Sequence, residues 1–273
     1  MTRACASWRL LGVFAGALLI TGARPAPAQD LGARLTASLY SAEDATDFLS
    51  RPWKFNLQPT YERQANGSST GYMLLQPYLR FDLGVLLWTR FEWPVPQIND
   101  DGGSITAGVG DLQWLNLVGV EGSDGWGKIG MGPVVVFPTA SSSQMGQGKY
   151  QLGPALGYVN RGLPGWQFAL LLQQFFSFAG DSDRARVNQL KLQPYVTKLL
   201  PHSWYIQTKP IVELNFVSGT SSVPLDLVIG KLVGGRWDLY FEATVYPGWT
   251  SSSTDYRLTL NVGYLFSSPL ERR

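Results

Sequence analysis

Residue types that usually do chemistry are scarce in this 273-residue chain, which holds one histidine, one cysteine and 22 basic against 20 acidic residues. A serine nucleophile needs a base within hydrogen-bond reach, normally a histidine held by a third group. His202 stands in Leu-Pro-His-Ser-Trp, a turn-like run, and reads as a solvated turn residue. Zinc sites need Cys and His sets that the chain lacks. Asp181, Asp183 and Asn188 supply calcium-type oxygens without EF-hand spacing, so a solvated loop is the expectation there. Gly-Gln-Gly-Lys at 146–149 departs from phosphate-loop spacing. No catalytic residue, metal or cofactor is therefore expected, and a net charge of +2 gives no footprint for nucleic acid. What remains is a set of charges of both signs among apolar residues: Arg80, Arg90, Glu92, Asp111, Lys149, Lys191, Lys209, Glu213, Asp226, Glu242 and Arg257. Facing a common interior, they either line a solute pathway and set its selectivity or pair with one another and fill it. Arg90, Asp111, Lys191 and Glu213 are the strongest candidates to face one another from mid-strand positions.

Elements that bring such residues together must put them on one side of the backbone, and the chain alternates at period two. In 53–62, Trp53, Phe55, Leu57, Pro59 and Tyr61 oppose Lys54, Asn56, Gln58, Thr60 and Glu62. Met73, Leu75, Pro77, Leu79 and Phe81 oppose Gln76, Tyr78, Arg80 and Asp82. Leu190, Leu192, Pro194 and Val196 oppose Gln189, Lys191, Gln193 and Thr197. Pro210, Val212, Leu214 and Phe216 oppose Gln207, Lys209, Glu213 and Asn215. Tyr256, Leu258, Leu260, Val262, Tyr264 and Phe266 oppose Arg257, Thr259, Asn261 and Gly263.

About twelve such segments, starting near residues 53, 72, 85, 110, 128, 150, 166, 187, 204, 223, 237 and 255, run to the ~9–11 residues of a tilted membrane strand; soluble strands average ~5–6. Short connections (82–84, 160–165, 199–202, 234–236) alternate with longer Ser/Gly/Asp-rich ones (94–107, 139–148, 179–186). That asymmetry suits an outer-membrane barrel, with short periplasmic turns and longer outer loops. The predicted fold is all-β, an antiparallel transmembrane barrel over 52–266 with a tail at 267–273. Aromatic residues at strand ends, Trp53, Phe81, Trp93, Trp166, Trp204, Trp237 and Phe266 among them, suit the membrane interface. A soluble β-sandwich would want its bulky residues mid-strand and would expose a very large apolar face. Pro59, Pro77, Pro94, Pro154, Pro194 and Pro210 each remove a ladder donor and blur the strand boundaries.

Ahead of the strands, Arg3 and Arg9 precede an apolar run at 10–20, with Ala26, Pro27 and Ala28 after it, the pattern of a secretory signal peptide over 1–28. Its removal with Arg3, Arg9 and Arg24 takes the net charge from +2 to about −1 and discards Cys5. The leader at 29–51 breaks the alternation. A short helix is expected there, at the periplasmic mouth or inside as a plug, with an unstructured leader as the alternative.

Ala-Gly-Val-Gly-Asp-Leu at 107–112, Gly-Met-Gly-Pro-Val-Val-Val-Phe-Pro-Thr-Ala at 130–140 and Gly-Gln-Gly-Lys-Tyr at 146–150, with Gly153 and Pro154, form an ordered series of motifs. Phe-Ala-Gly-Asp at 178–181, followed by Arg184, Arg186, Val187, Asn188, Gln189, Gln193 and Pro194, and Ser-Val-Pro-Leu at 222–225 with Gly230 and Lys231 extend it. The series resembles the family named for a MetA pathway of phenol degradation, a set of outer-membrane barrels labelled as transporters. The leader run at 45–52 is similar to that family's opening but lacks its Asn-Pro. The resemblance implies a barrel and, loosely, transport of small or aromatic compounds; it carries no catalytic residues. The expectation is an exported protein of the bacterial outer membrane that passes small solutes, aromatic or hydrophobic ones included. Its partners would be lipid, solute and the barrel-assembly machinery, which would read the last strand at Phe266. A non-conducting structural or adhesion barrel with a plugged lumen is the alternative.

Overall fold

A computed structural model describes residues 40–122, 127–248 and 251–268; the expected signal peptide, Cys5 and residues 269–273 of the tail lie outside them. Alternation at period two needs a sheet with two unlike sides, and the chain supplies it with fifteen antiparallel segments in one sheet. These are β1 (Trp53–Gln64), β2 (Ser69–Asp82), β3 (Leu86–Asp100), β4 (Ile105–Gly108), β5 (Leu112–Glu121), β6 (Lys128–Phe137), β7 (Lys149–Asn160) and β8 (Trp166–Gly180). They continue as β9 (Asn188–Leu199), β10 (Trp204–Thr208), β11 (Val212–Asn215), β12 (Thr220–Ser222), β13 (Leu225–Val233), β14 (Trp237–Val245) and β15 (Thr254–Phe266). Three staves are each interrupted once, between β4 and β5, β10 and β11, and β12 and β13, so the segments make a closed twelve-strand barrel. Pro210 and Pro224 stand at two of the interruptions, where a missing N–H breaks the ladder. β1 pairs with β15 from Trp53↔Phe266 to Gln64↔Thr254, and the cylinder closes without an edge. Pro59, Pro77, Pro154 and Pro194 remain inside strands.

One connection differs from the expectation. Instead of a loop over 94–107, β3 runs through Pro94 and Pro96 to Asp100 and pairs with β4 from Gln97↔Gly108 to Asp100↔Ile105. Only 101–104 turn. Asp101 accepts the backbone N–H groups of Ser104 (2.8 Å) and Gly103 (3.3 Å), which favour its charged form and hold its carboxyl below the ordinary value. The signal misread was proline: two of them at 94–96 look like a loop, yet an extended hairpin tolerates them.

The outer wall is apolar along its length. Phe55, Val118, Met131, Leu152, Phe176, Leu227, Ile229, Phe241, Leu258 and Leu260 all project outward and are exposed. In water this would be an apolar surface far beyond what soluble monomers carry; in hydrocarbon it is the expected face. At the short-turn end the wall is ringed by Trp53 against Phe81 (ring centroids 5.4 Å) and Phe266 (5.9 Å), Trp237 against Tyr264 (4.8 Å) and Trp166 stacked on Phe168 (6.1 Å). Tyr61 with Tyr256 and Tyr150 with Phe178 occupy the opposite end. No helix among the described residues is long and apolar enough to cross a membrane, so the crossing is made by strands.

Inside, the two sides of the barrel differ. From β3 to β8 the inward positions are mostly apolar, and Trp88, Leu115, Leu117, Val134, Val136, Ala155, Val159, Ala169, Leu171 and Phe175 form one buried cluster. Phe48 and Leu49 complete it. They arrive on the segment that follows helix α1 (Ala42–Thr46), which opens with a capping box between Ser41 and Asp44. A helix this short has no stability of its own, so packing holds it. Gly157 makes the room: a Cβ there would lie 2.9 Å from both Leu117 Cδ1 and the Phe48 ring.

Candidate functional site

The remaining interior, from β9 round to β2 and including part of β3, encloses a cavity of about 340 Å³. Its wall comes from the polar side of the alternating strands, which is why its lining reads as every second residue: Lys54, Asn56, Gln58 and Thr60 on β1, and Tyr72, Leu74, Gln76 and Tyr78 on β2. Ala45, Thr46 and Phe48 form its floor at the short-turn end.

Most charges inside it are paired. Glu92 takes Arg90 Nη2 at 2.9 Å, Gln76 Nε2 at 2.8 Å and Gln113 Nε2 at 3.0 Å. Lys209 Nζ meets Glu242 at 2.8 Å and the Tyr240 hydroxyl at 3.0 Å. Arg257 Nε meets Glu62 at 2.8 Å and another of its N–H groups meets the Tyr246 hydroxyl, while Tyr72 donates to Glu62 at 3.0 Å. Lys191 and Glu213 stand opposite each other in the β9–β11 register, 3.2 Å apart and both partly exposed. Gln58 reaches Gln76 (3.1 Å), Tyr240 (2.9 Å) and Asn261 (3.2 Å), tying the polar wall together. The amides and hydroxyls leave these ions solvated or hydrogen-bonded rather than stranded.

Of the sequence-derived candidates, Arg90, Glu92, Lys191, Lys209, Glu213, Glu242 and Arg257 line this cavity or pair with a residue that does. Four others are placed differently. Arg80 lies at the short-turn end beside Glu121 (3.8 Å). Asp111 is not mid-strand but stands in the interruption of the fourth stave, between β4 and β5. It borders the cavity while its carboxylate accepts the N–H groups of Ala140 (3.1 Å) and Gln147 (2.7 Å), tethering the 138–148 loop. Lys149 sits at the opposite rim, its ammonium on the Asp181 carbonyl. Asp226 accepts from Thr208 Oγ1 (2.7 Å) and the Lys209 N–H (2.9 Å), bridging the interruption between β10 and β11. Arg90 pairs with Glu92, and Asp111 takes backbone N–H groups instead. The girdle residues Trp53, Phe81, Trp166, Trp204, Trp237 and Phe266 ring the short-turn end; Lys231 Nζ lies 4.9 Å over the Trp204 ring and Lys198 Nζ 4.7 Å over Trp166. Trp93 donates its indole N–H to the Gly110 carbonyl (3.2 Å). His202 is an exposed residue of the Pro201–Ser203 turn at φ 60°.

Sequence reading passed over Lys54, the tyrosines 72, 195, 205 and 240, and Asp238. Lys54 was visible on the polar face of its strand, whereas the tyrosines carry no mark of their side, because a phenol fits a lipid face, a core and a polar wall alike. It also passed over Asp47, which is wholly buried between Lys128 Nζ (2.8 Å) and Arg161 Nη2 (2.7 Å). That acid fixes the α1 segment: Lys128 also donates to the Leu49 carbonyl (3.0 Å), Arg161 to the Glu43 carbonyl (3.0 Å), and Lys54 to the Ala45 carbonyl (2.6 Å).

No family model matches the chain, and no curated protein matches it by sequence. Among solved structures it is similar to an outer membrane channel from Pseudomonas putida F1, with a TM-score of 0.66 at 13% identity over 79% of this chain and 95% of that one. It is also similar to the NanC porin, with a TM-score of 0.54 at 12% identity over 78% of this chain and all of that one. At such identities the likeness is one of fold. Joined to an apolar outer wall between two aromatic rings, it makes the chain a closed twelve-strand β-barrel of the bacterial outer membrane.

Proposed function

We propose that the protein is an outer-membrane channel for the passive passage of small solutes, aromatic or hydrophobic ones included. The observation that carries this reading is the charged, hydroxyl-rich cavity enclosed by an apolar cylinder. Sealing five cations and as many acids inside a barrel has little structural value unless water and solute reach them. The likeness of the motif series to the MetA-pathway family supports the aromatic part of the reading. Catalysis has no comparable support, since His202 lies on an exposed turn. Export would remove residues 1–28, and the barrel-assembly machinery would read β15 at its terminal Phe266. The purified barrel in planar bilayers and in solute-loaded liposomes tests the proposal: discrete conductance steps and solute efflux are expected, and a folded barrel giving neither would end it.

One observation favours a second reading, a barrel closed at rest. Residues 40–50 pack against the interior at the short-turn end and floor the cavity. If that segment is a fixed plug, the native barrel stays silent, and variants that release it conduct.

A further inference from the structure

We propose that the floor of the cavity is a binding site for small aromatic carboxylates, built on Lys54, Arg90 and Tyr78. The inference rests on the channel reading and names the solute class for it.

Lys54 is the exception among the cations of the cavity. Arg90, Lys191, Lys209 and Arg257 each have a carboxylate partner, at 2.9, 3.2, 2.8 and 2.8 Å. Lys54 is more deeply buried than most of them, at 6% exposure, and forms no ion pair among the described residues. An ammonium offers three donors. One reaches the Ala45 carbonyl, and the Tyr78 ring lies beneath the group with its centroid 4.7 Å away. Two acids, Asp238 and Asp47, act on the Lys54 charge from beyond ion-pairing distance; Asp238 takes the Tyr205 hydroxyl at 2.7 Å, and Asp47 is held by Lys128 and Arg161. Arg90, 5% exposed, lies 5.6 Å from the same Tyr78 ring and spends a terminal nitrogen on Glu92, while its Nε has no partner.

A buried cation is costly unless an anion meets it, and a buried donor is costly unless an acceptor does. A carboxylate against Lys54 would meet the first of these costs, and Arg90, which flanks Tyr78 on the other side in the ladder register, would add its charge. Tyr78, Tyr195 and Phe48 border the same space, Tyr195 packing on Phe48 with centroids 5.3 Å apart, and together they give a flat apolar body aromatic surface to lie against. A volume of about 340 Å³ is at the low end of the ~300–1,000 Å³ range of ligand pockets, which limits the guest to roughly one ring.

The test uses the folded full-length barrel in detergent, titrated calorimetrically with benzoate, benzyl alcohol and acetate. Saturable benzoate binding is expected, at least tenfold tighter than either of the others, which lack the charge and the ring respectively. Lys54→Met should weaken benzoate tenfold or more, and Lys54→Arg should retain it. Absence of benzoate binding, benzyl alcohol or acetate binding as well as benzoate, or an unchanged affinity in Lys54→Met would each overturn the site. Should Lys54→Met not fold, the ranking of the three compounds on the native protein decides. A barrel that conducts without binding benzoate loses this inference and keeps the channel. One that binds benzoate and never conducts keeps the site and loses the channel.

Discussion

Inward positions on β5 to β8 carry Leu115, Leu117, Val134, Ala155, Leu171 and Phe175, whereas those on β9 to β15 and back to β2 carry Lys191, Gln193, Gln207, Lys209, Glu242, Arg257, Lys54 and Gln76. Both sets face the inside of one cylinder of constant architecture. The apolar half is filled, partly by its own side chains and partly by Phe48 and Leu49 from the α1 segment, and behaves as a packed core. The polar half is left open and holds the cavity. A barrel of twelve staves is thus reduced to the effective bore of a smaller one, without a change in strand number. A channel so built would place selectivity on one arc of the wall and rigidity on the other.

The sharpest way to break that comparison is to put a charge where the core is. Leu171 is fully buried among apolar side chains, and Leu171→Asp would put a carboxylate in their midst. Such unpaired buried charge is among the few mechanisms that exceed ~4–5 kcal/mol. The expected result is no folded, heat-modifiable band on a semi-native gel. The same gel should show a folded band for Gln76→Asp, on the polar arc. Equal behaviour of the two variants would erase the distinction between the halves.

Next in size is the join between the α1 segment and the wall. Asp47→Ala leaves Lys128 and Arg161 without the acid between them, and among the described residues the acids still in reach are Glu121 (3.8 Å from Lys128), Glu43 (3.6 Å) and Asp44 (3.7 Å from Arg161). Removing one partner of a buried pair costs about 3–5 kcal/mol. Here that loss falls on the docking of residues 40–50 rather than on the ladder. Faster amide exchange confined to this segment and a higher conductance are expected; unchanged exchange would mean that the ion cluster does not hold it. Phe48→Ala removes a ring from the shared core at a cost of about 3 kcal/mol, toward the low end for buried aromatics because the ring sits on a short segment. It should give the same exchange pattern with a smaller rise in conductance.

How much of this was legible in the sequence follows the same division. Period two marks a strand only when its faces differ, and β1, β2, β9, β11 and β15 on the polar arc could be read residue by residue. On β6, Val134, Val135 and Val136 are apolar on both faces, so the sequence marks a strand there without marking which side is lipid and which is lumen. The filled half of the interior was invisible for that reason. Pairings of charge were legible where they follow ladder register, as for Lys191 and Glu213, and not where they run along one strand, as for Arg90 and Glu92. Asp47 could not be found at all, since its partners Lys128 and Arg161 lie 81 and 114 residues away and nothing local couples them.

The smallest effect on stability should come from the pair the sequence read best. Lys191 and Glu213 are 29% and 35% exposed, and a pair so open to water contributes at most about 1 kcal/mol. Lys191→Met should leave the thermal midpoint within a degree or two of the parent, roughly what such an energy allows in a domain this size. Its effect belongs to ion passage instead. Loss of one positive charge beside Glu213 makes that stretch of wall net negative, and the reversal potential under a salt gradient should move toward cation preference. Glu213→Gln should move it the opposite way. If both variants shift the midpoint strongly and the reversal potential not at all, the polar arc is a second core made of ions, and the contrast between the two halves of the barrel is one of side-chain chemistry alone.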